Sequence, residues 1–272
     1  MFSKLLTPQK KIEEDTQGRF FGKETLLFLM LGGFFITNAL IAEFVGVKVF
    51  SLEKTLGLPP ANLHILGFYL SFNLTAGALL WPLVFVMSDL INEYFGRRGV
   101  RLLSYMTIGL ITYTFLIIFL SMNLVPADFW IIRNTENGPL NMEVAFGAIF
   151  GQGLWIIIGS LIAFFIGQLV DVAVFYQIKL YTGEKYLWLR ATGSTLISQL
   201  IDSFVVLIIA FHLNPSTHWD LKLVLAIGIA KYIYKFLMAI LLTPVMYLMH
   251  TLIDRYLGEE LAARIKENAM NN

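Results

Sequence analysis

One polar insert occurs twice within otherwise apolar runs, as Gln168-x-x-Asp171 and Gln199-x-x-Asp202, with a short basic link from Lys179 to Arg190 between them. Residues three apart share a helix face, so each run presents an amide and a carboxylate side by side. An ionised Asp near a membrane centre costs about 2.5–3.5 kcal/mol on insertion scales, so two of them demand a reason. Helix–helix hydrogen bonding is the plain structural role for a single Gln or Asp. Repetition on adjacent hairpin helices favours another role, in which both faces converge on one enclosed polar site.

Further polar groups fall where a bilayer should not tolerate them. Asp89, Asn92 and Glu93 stand at i, i+3 and i+4 and form one acidic face. Asp89 lies deeper and is the better site candidate. Glu93 is either a helix end meeting water beside Arg97 and Arg98 or, with Asp89, part of an inner gate, and Arg190 is placed at the inner mouth. Asn38 and Glu43 are five apart and so lie on different faces of one helix. Lys231 and Lys235 are four apart on one face, and two close cations need acids, for which Asp171, Asp202, Asp89 and Glu43 are available. The candidate ligand site is therefore Asn38, Glu43, Asp89, Gln168, Asp171, Gln199, Asp202, Lys231 and Lys235, with Glu93 and Arg190 at a gate or mouth.

Motifs for catalysis are missing. His64, His212, His218 and His250 are scattered without metal-ligand spacing, and there is no Walker sequence and no GxSxG. No metal or cofactor is expected, and the chain is read as a non-enzyme. The absence of cysteine excludes disulfides and thiolate chemistry, and a net charge of +1 makes no case for nucleic acid.

These groups must be positioned by membrane helices. Of 272 residues 57% are hydrophobic and 14% charged, with a mean hydropathy of +0.70, too few charges to coat a soluble protein of this size. Apolar runs long enough to span a bilayer predict six crossings. They fall near 24–50, 62–94, 102–124, 147–178, 187–211 and 221–252, with Trp81-Pro82 kinking or splitting the second. Gly147 and Gly151, four apart, suit close helix contact. A polar tail (1–23), a six-helix domain (24–252) and an exposed helical tail (253–272) follow. Lys and Arg fall fourteen on one set of flanks against four on the other, which predicts that both termini are cytoplasmic.

The blocks WPLVFVMSDLINEYFG, IGQLVDVAVFYQIK and WLRATGSTLISQLIDS, in that order, preceded by TNALIAEFVGVKVF, resemble the queuosine precursor transporters, also called the vitamin-uptake-like family. The resemblance spans roughly Leu26 to Tyr256, with Val100-Arg101 departing mildly from the family's usual Ala-Arg. It implies an all-α, six-helix fold similar to the substrate-binding subunits of energy-coupling-factor transporters, in a bacterial cytoplasmic membrane. It also implies uptake of 7-cyano-7-deazaguanine or 7-aminomethyl-7-deazaguanine, bases used to make queuosine in tRNA. Asp202 or Asp171 would then take the base edge, Gln168, Gln199 and Asn38 would orient it, and Phe175, Tyr176, Phe204, Tyr232 or Tyr234 would face the ring. Secondary or facilitated carriage is the leading mechanism. An ATP-driven partner module, an intramembrane enzyme, a structural scaffold and self-association remain open alternatives.

Overall fold

A computed structural model of the chain describes residues 22–136, 138–151, 154–183 and 186–270. Residues 1–21 of the polar N-terminal tail and Lys185 lie outside these described residues. Among the described residues five stretches are long and apolar enough to cross a membrane: Lys23–Val45, Ala76–Met122, Met142–Thr182, Trp188–His212 and Leu221–Leu257. Leu29, Met30, Phe119 and Leu120 are exposed on them, whereas Asp89, Glu93, Gln168 and Asp171 are buried. Greasy outside and polar inside inverts the pattern of a water-soluble domain and suits a solvent of lipid tails. The chain is an all-α, multi-pass membrane protein in its spanning part.

Helix α1 (Lys23–Val45) is followed by a cap of small elements: β1 (Val49–Ser51), α2 (Leu52–Thr55), β2 (Leu63–Ile65), β3 (Phe68–Leu70) and β4 (Asn73–Thr75). Strands β1 and β4 pair antiparallel, as do β2 and β3. The second apolar segment expected to begin near Asn62 is corrected here, because residues 63–75 are strand and connection outside the bundle. Helix α3 (Trp81–Met122) starts at the Trp81-Pro82 step, since proline in a first turn forfeits no intrahelical bond. That step is a helix start, not a kink.

Glu53 staples the cap. Its carboxylate accepts from the amides of Phe72 (2.8 Å) and Ala61 (3.3 Å) and from the Ser51 hydroxyl (3.2 Å). Burial works to raise its pKa, but the bond from Phe72 and the others outweigh it and hold the group below its ordinary 4.5. A depressed carboxylate stabilises fully above its unfolded value and loses that contribution as pH falls through the folded one. Hydrogen exchange at the Phe72 and Ala61 amides, corrected for intrinsic rate, is therefore expected to stay protected at pH 5 and above and to rise below about pH 4.5. Glu53→Ala should flatten that profile, and an unchanged profile in the variant would remove the staple from the account.

Gly96 breaks α3, at φ 68° and ψ −174°. A methyl added at Gly99 would meet Phe95 Cβ at 2.8 Å and Ile91 Cγ2 at 3.6 Å. Residues eight apart on one continuous helix are separated by about 12 Å, so the chain turns back on itself at Gly96. Phe28 of α1 touches both limbs, edge-to-face on Phe95 at 4.9 Å and against Gly99. A Cβ at Gly96 itself would lie 2.7 Å from the Ala269 carbonyl oxygen, and the positive φ disfavours any other residue.

After a small unit of α4 (Asp128–Ile131), β5 (Ile132–Thr135), β6 (Gly138–Asn141) and α5 (Met142–Phe150), the long helices α6 (Leu154–Thr182) and α7 (Leu187–Leu207) form a hairpin. A π turn at Ile208–His212 ends α7, and α8 (Leu221–Leu257) carries Pro244 within it. The expected Gly147 contact fails: a Cβ there would meet nothing within 4 Å, and Gly151 caps α5. The C-terminal tail is helical as expected, α9 (Glu259–Met270), but it is not an exposed appendage. Its Ala262, Ile265 and Ala269 are buried over the Gly96 turn, and Lys266 bonds Asp254 at 2.9 Å. Described basic side chains gather at this Gly96 end (Lys23, Arg97, Arg98, Arg101, Lys179, Arg190, Arg255, Arg264 and Lys266). Lys48, Lys54, Arg133 and Lys222 lie at the opposite, loop end.

Candidate functional site

At the Gly96 end, Glu93 is a buried hub. Arg190 binds it in bidentate fashion, Nε to Oε2 at 3.1 Å and Nη2 to Oε1 at 2.6 Å, and Lys179 Nζ stands 3.2 Å from Oε2. Lys179 also donates to the Glu93 carbonyl at 3.1 Å, and Arg190 Nη1 to the Gly183 carbonyl at 2.9 Å. Glu93 is 1% exposed, so the expectation that it meets water at a helix end is overturned. The group ties α3 to both arms of the α6–α7 hairpin and closes the bundle at this level.

Further along lies a polar seam where α3, α6 and α7 meet. The hairpin aligns its repeats antiparallel: Ser198 donates to Asp171 Oδ1 at 3.2 Å, and Gly167 packs against the Asp202 Cβ. Each acid thus sits level with the amide end of the other repeat. Ser88 donates to Gln168 Oε1 at 3.0 Å and Thr195 to Asp89 Oδ2 at 3.3 Å. Among the described residues, Asp89 Oδ1, Asp171 Oδ2, Gln168 Nε2 and Gln199 Nε2 of this seam make no hydrogen bond. Buried polar atoms left unpaired are uncommon and costly, so each asks for an explanation.

Toward the loop end the bundle opens into a cavity of about 350 Å³, within the roughly 300–1,000 Å³ typical of small-molecule sites. Glu43, Asp202, Lys231 and Lys235 line it, with Trp81 and Tyr234 among the walls. Lys235 forms an ion pair with Asp202, and Ser160 donates to Glu43 Oε2 at 3.0 Å. A narrower slot continues inward, lined by Trp81, Phe85, Asp89, Thr195, Gln199 and Lys235 among others. Trp81 and Lys235 border both spaces. Among the described residues no three His, Asp or Glu side chains stand close enough to share a metal ion.

The sequence-predicted residues therefore divide. Glu43, Asp202, Lys231 and Lys235 converge on the cavity, and Asp89 and Gln199 on the slot. Gln168 and Asp171 line neither of these two spaces. Asn38 is buried and donates back to the Phe34 carbonyl at 2.8 Å. Of the five proposed ring-facing aromatics only Tyr234 reaches the cavity. Phe175 is fully buried and Tyr176 lies under Arg97, whose guanidinium is 3.7 Å from the ring centre. Phe204 packs against Gly228.

Sequence reasoning overlooked Trp81, Ser160 and Thr195. For Thr195 a signal existed, because Thr195, Gln199 and Asp202 stand at i, i+4 and i+7 and share one face of α7.

The profile of the family described as "Putative vitamin uptake transporter" matches residues 75–249, which contain α3, α6, α7 and most of α8. The chain is 30% identical over 192 residues to a probable queuosine precursor transporter of Bacillus subtilis, covering 69% of this chain and 77% of that protein. It is 27% identical over 185 residues to the queuosine precursor transporter of Escherichia coli, with coverages of 65% and 73%. A probable queuosine precursor transporter of Haemophilus influenzae is 24% identical over 185 residues, covering 63% of this chain and 66% of that protein. No solved structure matches the chain significantly.

Proposed function

We propose that this chain, which belongs to the vitamin uptake transporter family, carries queuosine precursors, 7-cyano-7-deazaguanine or 7-aminomethyl-7-deazaguanine, across a bacterial cytoplasmic membrane. The observation that carries the reading is the loop-end cavity. It combines a size suited to one small molecule with an ion pair, a second carboxylate, a second lysine and three aromatic side chains in its walls, Trp81, Phe211 and Tyr234. A deazaguanine offers N–H donors on one edge, which a carboxylate accepts in pairs, and a carbonyl that amides and lysines can donate to. The names of the relatives supply the substrate class.

The proposal takes the two limbs of α3 as separate crossings that meet at Gly96. That makes six crossings, an arrangement resembling the substrate-binding subunits of energy-coupling-factor transporters. The basic Gly96 end then faces the cytoplasm with both termini. The base enters from the loop end and moves by secondary or facilitated carriage.

The test is queuosine in tRNA of a bacterium unable to make the precursor, given scarce external base, with and without this gene. Modification only in its presence supports the reading. A well-expressed protein that never restores it removes the deazaguanine substrate from the account.

A further inference from the structure

Two of the buried polar atoms that make no hydrogen bond among the described residues belong to side chains lining the slot beneath the cavity. Asp89 is 4% exposed and Gln199 3%, and both line this space. Thr195 fixes Asp89 by donating to Oδ2 and the Ser194 hydroxyl also stands near this carboxylate, while Asp89 Oδ1 and Gln199 Nε2 make no hydrogen bond of good geometry among the described residues. The lining therefore carries an unused acceptor on α3 and an unused donor on α7. Beside them stand the Trp81 and Phe85 rings, with small and aliphatic groups of α7 and α8 completing the lining. An acceptor, a donor and aromatic walls suit the edge and faces of a flat heterocycle. The cavity above it is different in kind, since its Asp202 is already engaged by Lys235.

We propose that this slot is a second, deeper binding position that sets specificity, taking a planar heterocycle with adjacent N–H donors beside a carbonyl. Asp89 accepts from the N–H edge, Gln199 donates to the carbonyl, and the base lies against Trp81 and Phe85. The inference rests on the uptake reading for its substrate and gives the base edge to Asp89 in place of Asp202 or Asp171. In the present conformation the slot encloses about 30 Å³, far below the roughly 300 Å³ at which small-molecule sites begin, so it must widen to admit a bicyclic ring. Two features allow that. Lys235 lines both slot and cavity, so parting the Asp202–Lys235 pair opens the way between them. Pro244, which lacks an N–H to bond back along α8, lies beside the slot-lining Thr243 and Met246, where a helix can bend.

The experiment is equilibrium binding to the purified full-length protein in lipid nanodiscs. The probes are 7-cyano-7-deazaguanine and its analogue without the 2-amino group. The wild type is expected to favour the amino form at least tenfold, because a site built around a donor edge rejects a ligand that lacks part of it. Asp89→Asn should bring the ratio to within about threefold of unity, since its amide no longer accepts two donors. Asp202→Asn should leave the ratio unchanged.

Gln199→Leu should weaken both bases about tenfold with the ratio kept, because both retain the carbonyl. This second variant holds the proposal to account should Asp89→Asn fail to fold. Loss of the ratio in Asp202→Asn but not in Asp89→Asn, or wild-type binding in Gln199→Leu, would overturn it. A wild type that binds the two bases equally would do the same. A folded wild type that binds neither base overturns the uptake reading itself, and the slot's assigned ligand with it.

Discussion

Asp202→Asn is expected to cut uptake roughly thirtyfold or more while the protein still reaches the membrane. The variant leaves Lys235 facing the cavity without its counter-charge. Truncating one partner of a desolvated charge pair costs about 2–5 kcal/mol. The low end applies because the two side chains retain 14% and 21% exposure, and about 2 kcal/mol corresponds to roughly thirtyfold. The measurement is initial-rate uptake of labelled base into cells, normalised to membrane content. A double variant, Asp202→Asn with Lys235→Gln, separates two causes. Recovery of uptake means that only the stranded charge was harmful. Continued loss means that the pair itself must part and re-form as the base passes, as expected if it stands between cavity and slot. Wild-type uptake in Asp202→Asn would remove the pair from the mechanism.

Glu93→Gln is expected to lose stability more than any other single neutralisation. Glu93 and Arg190 are each 1% exposed, and Lys179 is 3% exposed. Removing the acid leaves two buried cations facing a neutral amide, and breaking a buried pair in this way costs about 3–5 kcal/mol. The apparent melting temperature in detergent should fall by on the order of 10 °C. Replacing Glu93, Lys179 and Arg190 together by Met should recover much of that loss, since apolar groups of similar volume carry no desolvation penalty. A Glu93→Gln protein that melts within a degree or two of the wild type would show that the network is not what closes this end. Glu93→Gln is consequently a poor control for transport, because reduced uptake would follow from unfolding alone.

The alignment of the two repeats shows where sequence reading reached its limit. In the sequence the two Gln/Asp inserts are equivalent. In the fold Asp171 has no exposed surface and lies in the α3–α6–α7 seam, whereas Asp202 reaches the cavity. The difference comes from α8, which brings Lys235 to Asp202, and no local spacing announces which helix will pack there. Lys179 and Arg190 counted correctly as charges at one end, yet that count could not reveal that both enclose Glu93. In the same way Trp81 was legible as a break before proline but not as a wall shared by two spaces.

By itself the sequence determined the membrane class, the polar face of each helix and the residue types available for a flat, hydrogen-bonding solute. These follow from local regularities: the length of an apolar run, the 3.6-residue period and the high cost of a charge in lipid. The tertiary structure alone decided which of those faces meet. It turned the chain back at Gly96, consumed Glu93 in a buried ion network and paired Asp202 with Lys235. It also left Asp89 Oδ1 and Gln199 Nε2 without a hydrogen bond among the described residues, on two side chains that line one slot. Helix contacts join residues about 80 to 100 positions apart here, as in Ser88–Gln168 and Glu93–Arg190. A repeat that spans four residues carries no information at that range.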